Sequence, residues 1–147
     1  MRKLIVDERI RHKIANLQLE HDFRKETGGI LVGLYDPDES ALRITDMSQA
    51  YPTDRCGRFH FSRNSSGHQK FMDDLWISSG KTKAYLGEWH THNQAVPAPS
   101  LTDKNTWKRI SRKRNNFDQC YFLIIGREQF VVWTVTEGTI KEVEECC

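Results

Sequence analysis

Two histidines one residue apart, a proline-bearing loop and an acidic helix start constrain this chain more than any other feature. The stretch is GEWHTHNQAVPAPSLTD, residues 87–103. Residues 83–92 read as a strand. Side chains alternate faces along a strand, so Glu88, His90 and His92 share one side while Trp89 and Thr91 point to the other. SLTD, residues 100–103, reads as a helix start, with Ser100 as the N-cap and Asp103 in the favourable first turn. The loop between them leaves the strand and returns at the head of the next helix. Pro97 and Pro99 stiffen it, which lowers the chain entropy lost on that return. Any fold of this chain must therefore bring a strand end and the following helix start together.

The rest of the chain reads as one α+β domain. Its 147 residues suit a single core. Residues 3–6 (KLIV) predict a short strand. Residues 8–22, with Ile10, Ile14, Leu17 and Leu19 among charges, predict an amphipathic helix after an Asp7 cap. The run TGGILVGLY (27–35) predicts a buried strand whose glycines permit close backbone approach. DPDES is a turn, and residues 41–51 pair back as a hairpin. FHF (59–61) adds a short strand, 64–79 a helix and 102–114 a basic helix. Residues 119–126, 129–136 and 139–143 form a meander with a tight turn at Glu137–Gly138. Antiparallel runs broken by helices indicate one mixed sheet.

Composition excludes several classes. The net charge of +2 does not predict a nucleic-acid partner. MRKLIV turns polar at Asp7, so the start is not read as a signal peptide. No apolar run is long enough to span a membrane. Cys56, Cys120, Cys146 and Cys147 form no CxxC pair, so free thiols in a reducing cytosol are expected. The basic helix (Lys104, Lys108, Arg109, Arg112, Lys113, Arg114) reads as a solvated face rather than a phosphate stripe. Trp76, Trp89, Trp107 and Trp133 read as packing. His12, His21, His60 and His68 have no ligand partners at convincing spacing, and the structural reading is preferred for His60 and Arg58.

Two imidazoles on one strand face lie roughly 6–7 Å apart at the backbone and can converge on one ion. Zinc accepts imidazole nitrogen and carboxylate oxygen, and Asp103 is the obvious third ligand. Three protein ligands leave a tetrahedral position open for water, the pattern of a catalytic site. A base for that water should be a nearby carboxylate, and both Glu26 and Glu88 qualify.

ETGGILVG (26–33) together with HTHNQAVPAPSLTD (90–103) resembles the JAMM metalloproteases, also called the JAB or MPN+ domain. Their pattern is a glutamate before a G-I-L-x-G strand, then H-x-H-x7-S-x-x-D. The resemblance covers most of the chain. It implies a single JAMM/MPN domain over residues 1–147, with a mixed curved β-sheet flanked by helices. It also implies that His90, His92 and Asp103 bind Zn2+. Glu26, rather than Glu88, would carry the water's proton to the leaving amine, and Ser100 would stabilise the oxyanion. The reaction implied is hydrolysis of an amide or isopeptide bond. Many members carry proline after the second histidine, where this chain has Asn93. That departure bears on loop stiffness more than on ligand chemistry.

Among the prokaryotic members, GEWHTH and the short chain most resemble the isopeptidases of anti-phage CBASS operons. The implied substrate is a protein with an extended C-terminal tail. It would be a conjugated cGAS-like nucleotidyltransferase or another ubiquitin-like conjugate, cut in the cytoplasm as part of antiviral defence. Processing of a ubiquitin-like sulfur carrier is an alternative. RadC-like DNA-associated proteins also carry a PxPS segment, like PAPS (97–100), but they have a helix-hairpin-helix region for which this chain has little room.

Overall fold

The structure is a computed structural model, and it describes residues 3–49, 55–56, 61–62, 65–112 and 119–146. The elements in chain order are β1 (Lys3–Val6), α1 (Glu8–Glu20), β2 (Gly28–Asp36), β3 (Ala41–Met47), β4 (Arg55–Cys56), β5 (Phe61–Ser62) and α2 (Ser65–Ser78). After them come β6 (Ala84–Thr91), α3 (Leu101–Ser111), β7 (Tyr121–Ile125), β8 (Phe130–Thr136), β9 (Thr139–Glu142) and β10 (Glu145–Cys146). Eight strands form one mixed sheet in the order β10-β1-β3-β2-β6-β7-β8-β9, while β4 and β5 pair separately. The α+β expectation holds.

β7 shows why the sheet has two covered faces. All five of its residues are buried. Tyr121, Leu123 and Ile125 join a core cluster with Ile10 and Ile14 of α1 and Leu86 and Trp89 of β6. Phe122 and Ile124 join a second cluster with Trp107 of α3 and Trp133. Alternation along one strand thus feeds opposite layers, α1 on one side and α3 on the other. β6 and β7 run parallel, and parallel neighbours need a crossover, which α3 provides. Gly87 makes this pairing possible, because a Cβ there would collide with the carbonyl oxygen of Tyr121.

β6 does not alternate strictly. Its register against β2 shifts where Leu31 faces Gly87 and Val32 faces Tyr85, leaving Leu86 as the extra residue of a bulge. Leu86 packs in the α1 layer, while Tyr85 packs in the α3 layer. The bulge turns Glu88 and His90 onto the α3 side.

Several boundaries differ from expectation. β3 ends at Met47, not 51, because Ser48 peels away and its backbone N–H and hydroxyl both bond Ile30; residues 50–51 lie outside the described residues. α1 stops at Glu20 because His21 is extended and its N–H bonds the carbonyl of Leu17. Leu19, expected on the apolar face, is 85% exposed, whereas Ile10 and Ile14 are buried. The short strand expected at FHF is described only from Phe61, as β5 (Phe61–Ser62), with 59–60 outside the described residues. α3 ends at Ser111, and 113–114 also lie outside them. Trp89, Trp107 and Trp133 are buried and Trp76 packs against the core, as expected. Among the described residues no helix is long and apolar enough to cross a membrane.

Candidate metal centre

The site forms where the carboxyl end of β6, the amino end of β2 and the start of α3 meet. β2 is antiparallel to β6, and Gly28 sits opposite His90. Thr91 then locks the approach of the chain into β2. Its backbone N–H donates to the Thr27 carbonyl at 2.9 Å, and its hydroxyl accepts from the Thr27 N–H at 3.0 Å. The residue before Thr27 is Glu26, which this double link delivers to the end of β6. On the other side, the backbone N–H of His92 donates to the Ile125 carbonyl at the end of β7.

Asp103 arrives through helix capping. The Ser100 hydroxyl accepts from the Asp103 N–H at 3.1 Å, and Asp103 Oδ2 accepts from the Ser100 N–H at 2.9 Å. This reciprocal capping box fixes the carboxylate on the first turn of α3. The same carboxylate faces both imidazoles, Oδ1 at 3.3 Å from His90 Nε2 and Oδ2 at 3.2 Å from His92 Nε2. The two Nε2 atoms are 3.1 Å apart. One ligand atom from each of the three residues can be chosen so that all lie within 4.8 Å of one another. Zinc bonds of about 2.0–2.1 Å in a tetrahedron give ligand–ligand edges of roughly 3.3–3.4 Å. The observed separations of 3.1–3.3 Å lie at or just below those edges, so the donor set fits an ion of about that size.

The surroundings shield most of the group from solvent. Side-chain exposure is 14% for His90, 11% for His92 and 17% for Asp103. His90 lies 6.5 Å from the ring of Trp107, which itself stacks on Phe122 at 4.9 Å. Burial pushes the Asp103 carboxyl up, but hydrogen bonds and charge from His90 and His92 outweigh it and hold the group far below the usual carboxylate range. Burial likewise opposes charge on His92, but the Asp103 hydrogen bond and charge, with Glu26 adding, raise its pKa above the ordinary imidazole value.

Each sequence-derived site residue can now be located. His90, His92 and Asp103 converge. Glu26 is 14% exposed, with Oε1 at 4.0 Å from His92 Nε2. Glu88 lies one strand step back, where its carboxylate accepts from the Tyr85 hydroxyl at 3.0 Å. Ser100 is exposed and caps α3. Of the discounted histidines, His68 is fully buried with Nδ1 2.6 Å from the Ser48 hydroxyl, His12 pairs with Glu8, and His21 bonds the Lys25 carbonyl. His60 and Arg58 lie outside the described residues. Lys104, Lys108, Arg109 and Arg112 are exposed, as expected of a solvated face. Sequence reasoning missed Gln94, whose amide oxygen faces His92 Nδ1 at 3.3 Å. Its only signal was a polar residue two positions after the second histidine.

Residues 8–140 match the family model described as prokaryotic homologs of the JAB domain. The chain belongs to this family. Two relatives of this JAB-domain chain are each named CD-NTase/cGAS isopeptidase. That of Pseudomonas aeruginosa is 32% identical over 107 residues, covering 73% of this chain and 66% of the relative. That of Vibrio cholerae is 32% identical over 110 residues, covering 75% and 67%. The JAB-domain chain thus spans about two thirds of the length of these relatives. A probable metalloprotease of Sinorhizobium fredii is 36% identical over 97 residues, covering 63% of this chain and 55% of the relative. The solution structure of a Desulfitobacterium hafniense protein shares the fold, with a TM-score of 0.67 at 17% identity over 97% of this chain and 91% of that one.

Proposed function

We propose that this chain is a zinc-dependent isopeptidase that hydrolyses the amide bond after the C-terminus of a conjugated protein. The substrate class is a CD-NTase/cGAS-like nucleotidyltransferase with an extended tail, cut in the bacterial cytoplasm as part of anti-phage defence. The observation that carries this reading is the convergence of two imidazole nitrogens and one carboxylate at tetrahedral spacing, beside a second carboxylate. The names of the relatives support the substrate class.

In this reading His90, His92 and Asp103 hold the ion. When bound, zinc supplies a Lewis acid that polarises the scissile carbonyl and acidifies a water at its open position. Glu26 accepts a proton from the attacking water and delivers it to the leaving amine, so no covalent enzyme intermediate is needed. It fits this role better than Glu88 because its carboxylate approaches His92, whereas the Tyr85 hydroxyl engages Glu88. Ser100 accepts a backbone hydrogen bond through its oxygen. Its own proton remains able to donate to the oxyanion that develops as water attacks. Partial burial of all four acidic and imidazole side chains strengthens these charge effects.

The test uses a nucleotidyltransferase of this class joined through its C-terminal carboxyl to a lysine of a second protein. The zinc-loaded chain should release both proteins intact, and a chelator should stop it until zinc is restored. Cleavage of a ubiquitin-like sulfur-carrier tail, with the nucleotidyltransferase conjugate untouched, would move the substrate. Salt-sensitive DNA binding without any peptide-bond cleavage would contradict the reading.

A further inference from the structure

We propose that Asn93, Gln94 and Arg127 form a clamp that presets the Nε2 face of His92 toward the metal position. The inference rests on the metal reading above and concerns the loop 93–99, which carries the chain from His92 to the cap of α3. This is also where Asn93 stands instead of a ring-stiffened residue.

The loop is held from outside itself. After the His92 N–H bonds the end of β7, the turn joining β7 to β8 takes over. The Arg127 N–H donates to the Gln94 carbonyl at 2.7 Å, and the N–H groups of Glu128 and Gln129 both donate to the Ala95 carbonyl at 3.1 Å. The Arg127 guanidinium donates to Asn93 Oδ1 at 2.6 Å. Gly126 lets the two segments touch, since a Cβ there would lie 2.6 Å from the Gln94 carbonyl oxygen and 2.8 Å from Pro97. The turn is fixed in its own right by Gln18 of α1, which donates to the Gly126 carbonyl.

The side chain of Gln94 then reaches back. Its Oε1 accepts from the Ala98 N–H at 3.0 Å and lies 3.3 Å from His92 Nδ1. A peptide N–H can only donate, so the shared atom is the amide oxygen. An oxygen acceptor facing Nδ1 requires the imidazole proton there. The lone pair of the neutral ring is then on Nε2, the atom that faces His90 and Asp103. Gln94 and Arg127 are positioning residues in this account: Gln94 sets the tautomer and ring angle of His92, and Arg127 holds Asn93 and Gln94 in place.

The test compares Gln94→Ala, Gln94→Glu and Arg127→Ala with the wild type. Zinc affinity is measured by competition with a chromogenic chelator. The His92 tautomer is read by proton–nitrogen NMR of metal-free protein at a pH where the ring is neutral. Thermal unfolding confirms that each variant folds. Gln94→Ala should weaken zinc binding about 10–100-fold and lose the Nδ1–H preference. Gln94→Glu keeps the acceptor and should restore most of both, while Arg127→Ala should weaken binding less than Gln94→Ala. Wild-type affinity in Gln94→Ala, or an Nε2–H tautomer of His92 in the wild type, would overturn the clamp. A wild type that takes up no zinc would overturn the metal reading instead, and the tautomer would still judge the clamp.

Discussion

Helices α1 and α3 are built alike yet serve the site differently. Each is charged outside and apolar inside, and each packs on its own face of the sheet. Each begins with a side-chain cap. Asp7 accepts from the Arg9 N–H at 2.9 Å, and Ser100 accepts from the Asp103 N–H at 3.1 Å. In α1 the capping carboxylate satisfies the helix end and meets Arg43 at 3.8 Å. In α3 the third helical residue is itself an acid that closes the cap and also faces two imidazoles. α1 bears on the site indirectly, through its exit, where His21, Lys25 and Thr27 fasten the segment bearing Glu26, and through Gln18, which holds the turn at Gly126. A cap is a means of aiming a carboxylate, and the contrast teaches that its value to chemistry depends on what stands opposite.

Matched substitutions at the two caps probe this most strongly. Asp103→Ala should lower zinc affinity by more than the ~10–100-fold typical of a lost supporting residue and abolish cleavage. Asp7→Ala should cost about 1 kcal/mol of unfolding free energy and leave zinc content unchanged. Equilibrium unfolding and metal analysis on both variants check the pair, and zinc loss in Asp7→Ala would break the comparison.

Next comes the exit of α1. Glu26→Gln keeps shape and volume but removes the proposed base, so turnover should fall by about 10²–10⁴ while zinc stays bound. Full activity in this variant would transfer the role to Glu88.

The two packing layers give a third contrast. Ile14→Ala and Trp107→Ala should each cost about 2–5 kcal/mol, read by denaturant unfolding. Only Trp107→Ala should also weaken zinc binding, because that ring lies 6.5 Å from His90.

The smallest effect is on pH. The raised pKa of His92 stabilises the folded, metal-free protein below the unfolded-state value of about 6.5, and that contribution is lost as pH rises through the folded value. The depressed pKa of Asp103 contributes above the unfolded value of about 3.9 and is lost on acidification. Metal uptake displaces the His92 proton, so zinc affinity should rise over the range where metal-free stability declines. Thermal melts with and without zinc should therefore diverge with increasing pH, and parallel curves would count against coupling between His92 and the ion.

The long, periodic elements were legible because their signals are local. The alternating runs, the Asp7 and Ser100 caps and the Glu137–Gly138 turn, where both residues have positive φ, all needed only near neighbours in sequence. The convergence of His90, His92 and Asp103 was legible because their spacing and motif sit within one strand–loop–helix unit. The bulge at Leu86 was not, because it depends on the pairing of β6 with β2. Neither was the Gln94–Arg127 contact, which joins segments on two different turns. β10 and its pairing with β1 brought together the two ends of the chain, and no local pattern reports such a closure.

The central claim is that His90, His92 and Asp103 close on one ion. The most direct measurement is a crystal structure of the zinc-loaded protein with anomalous data collected at the zinc absorption edge. The account predicts one anomalous peak per chain, bonded to His90 Nε2, His92 Nε2 and an Asp103 oxygen at about 2.0–2.2 Å. Zinc-replete crystals with no peak between these three side chains, or with the imidazoles turned apart, would contradict it.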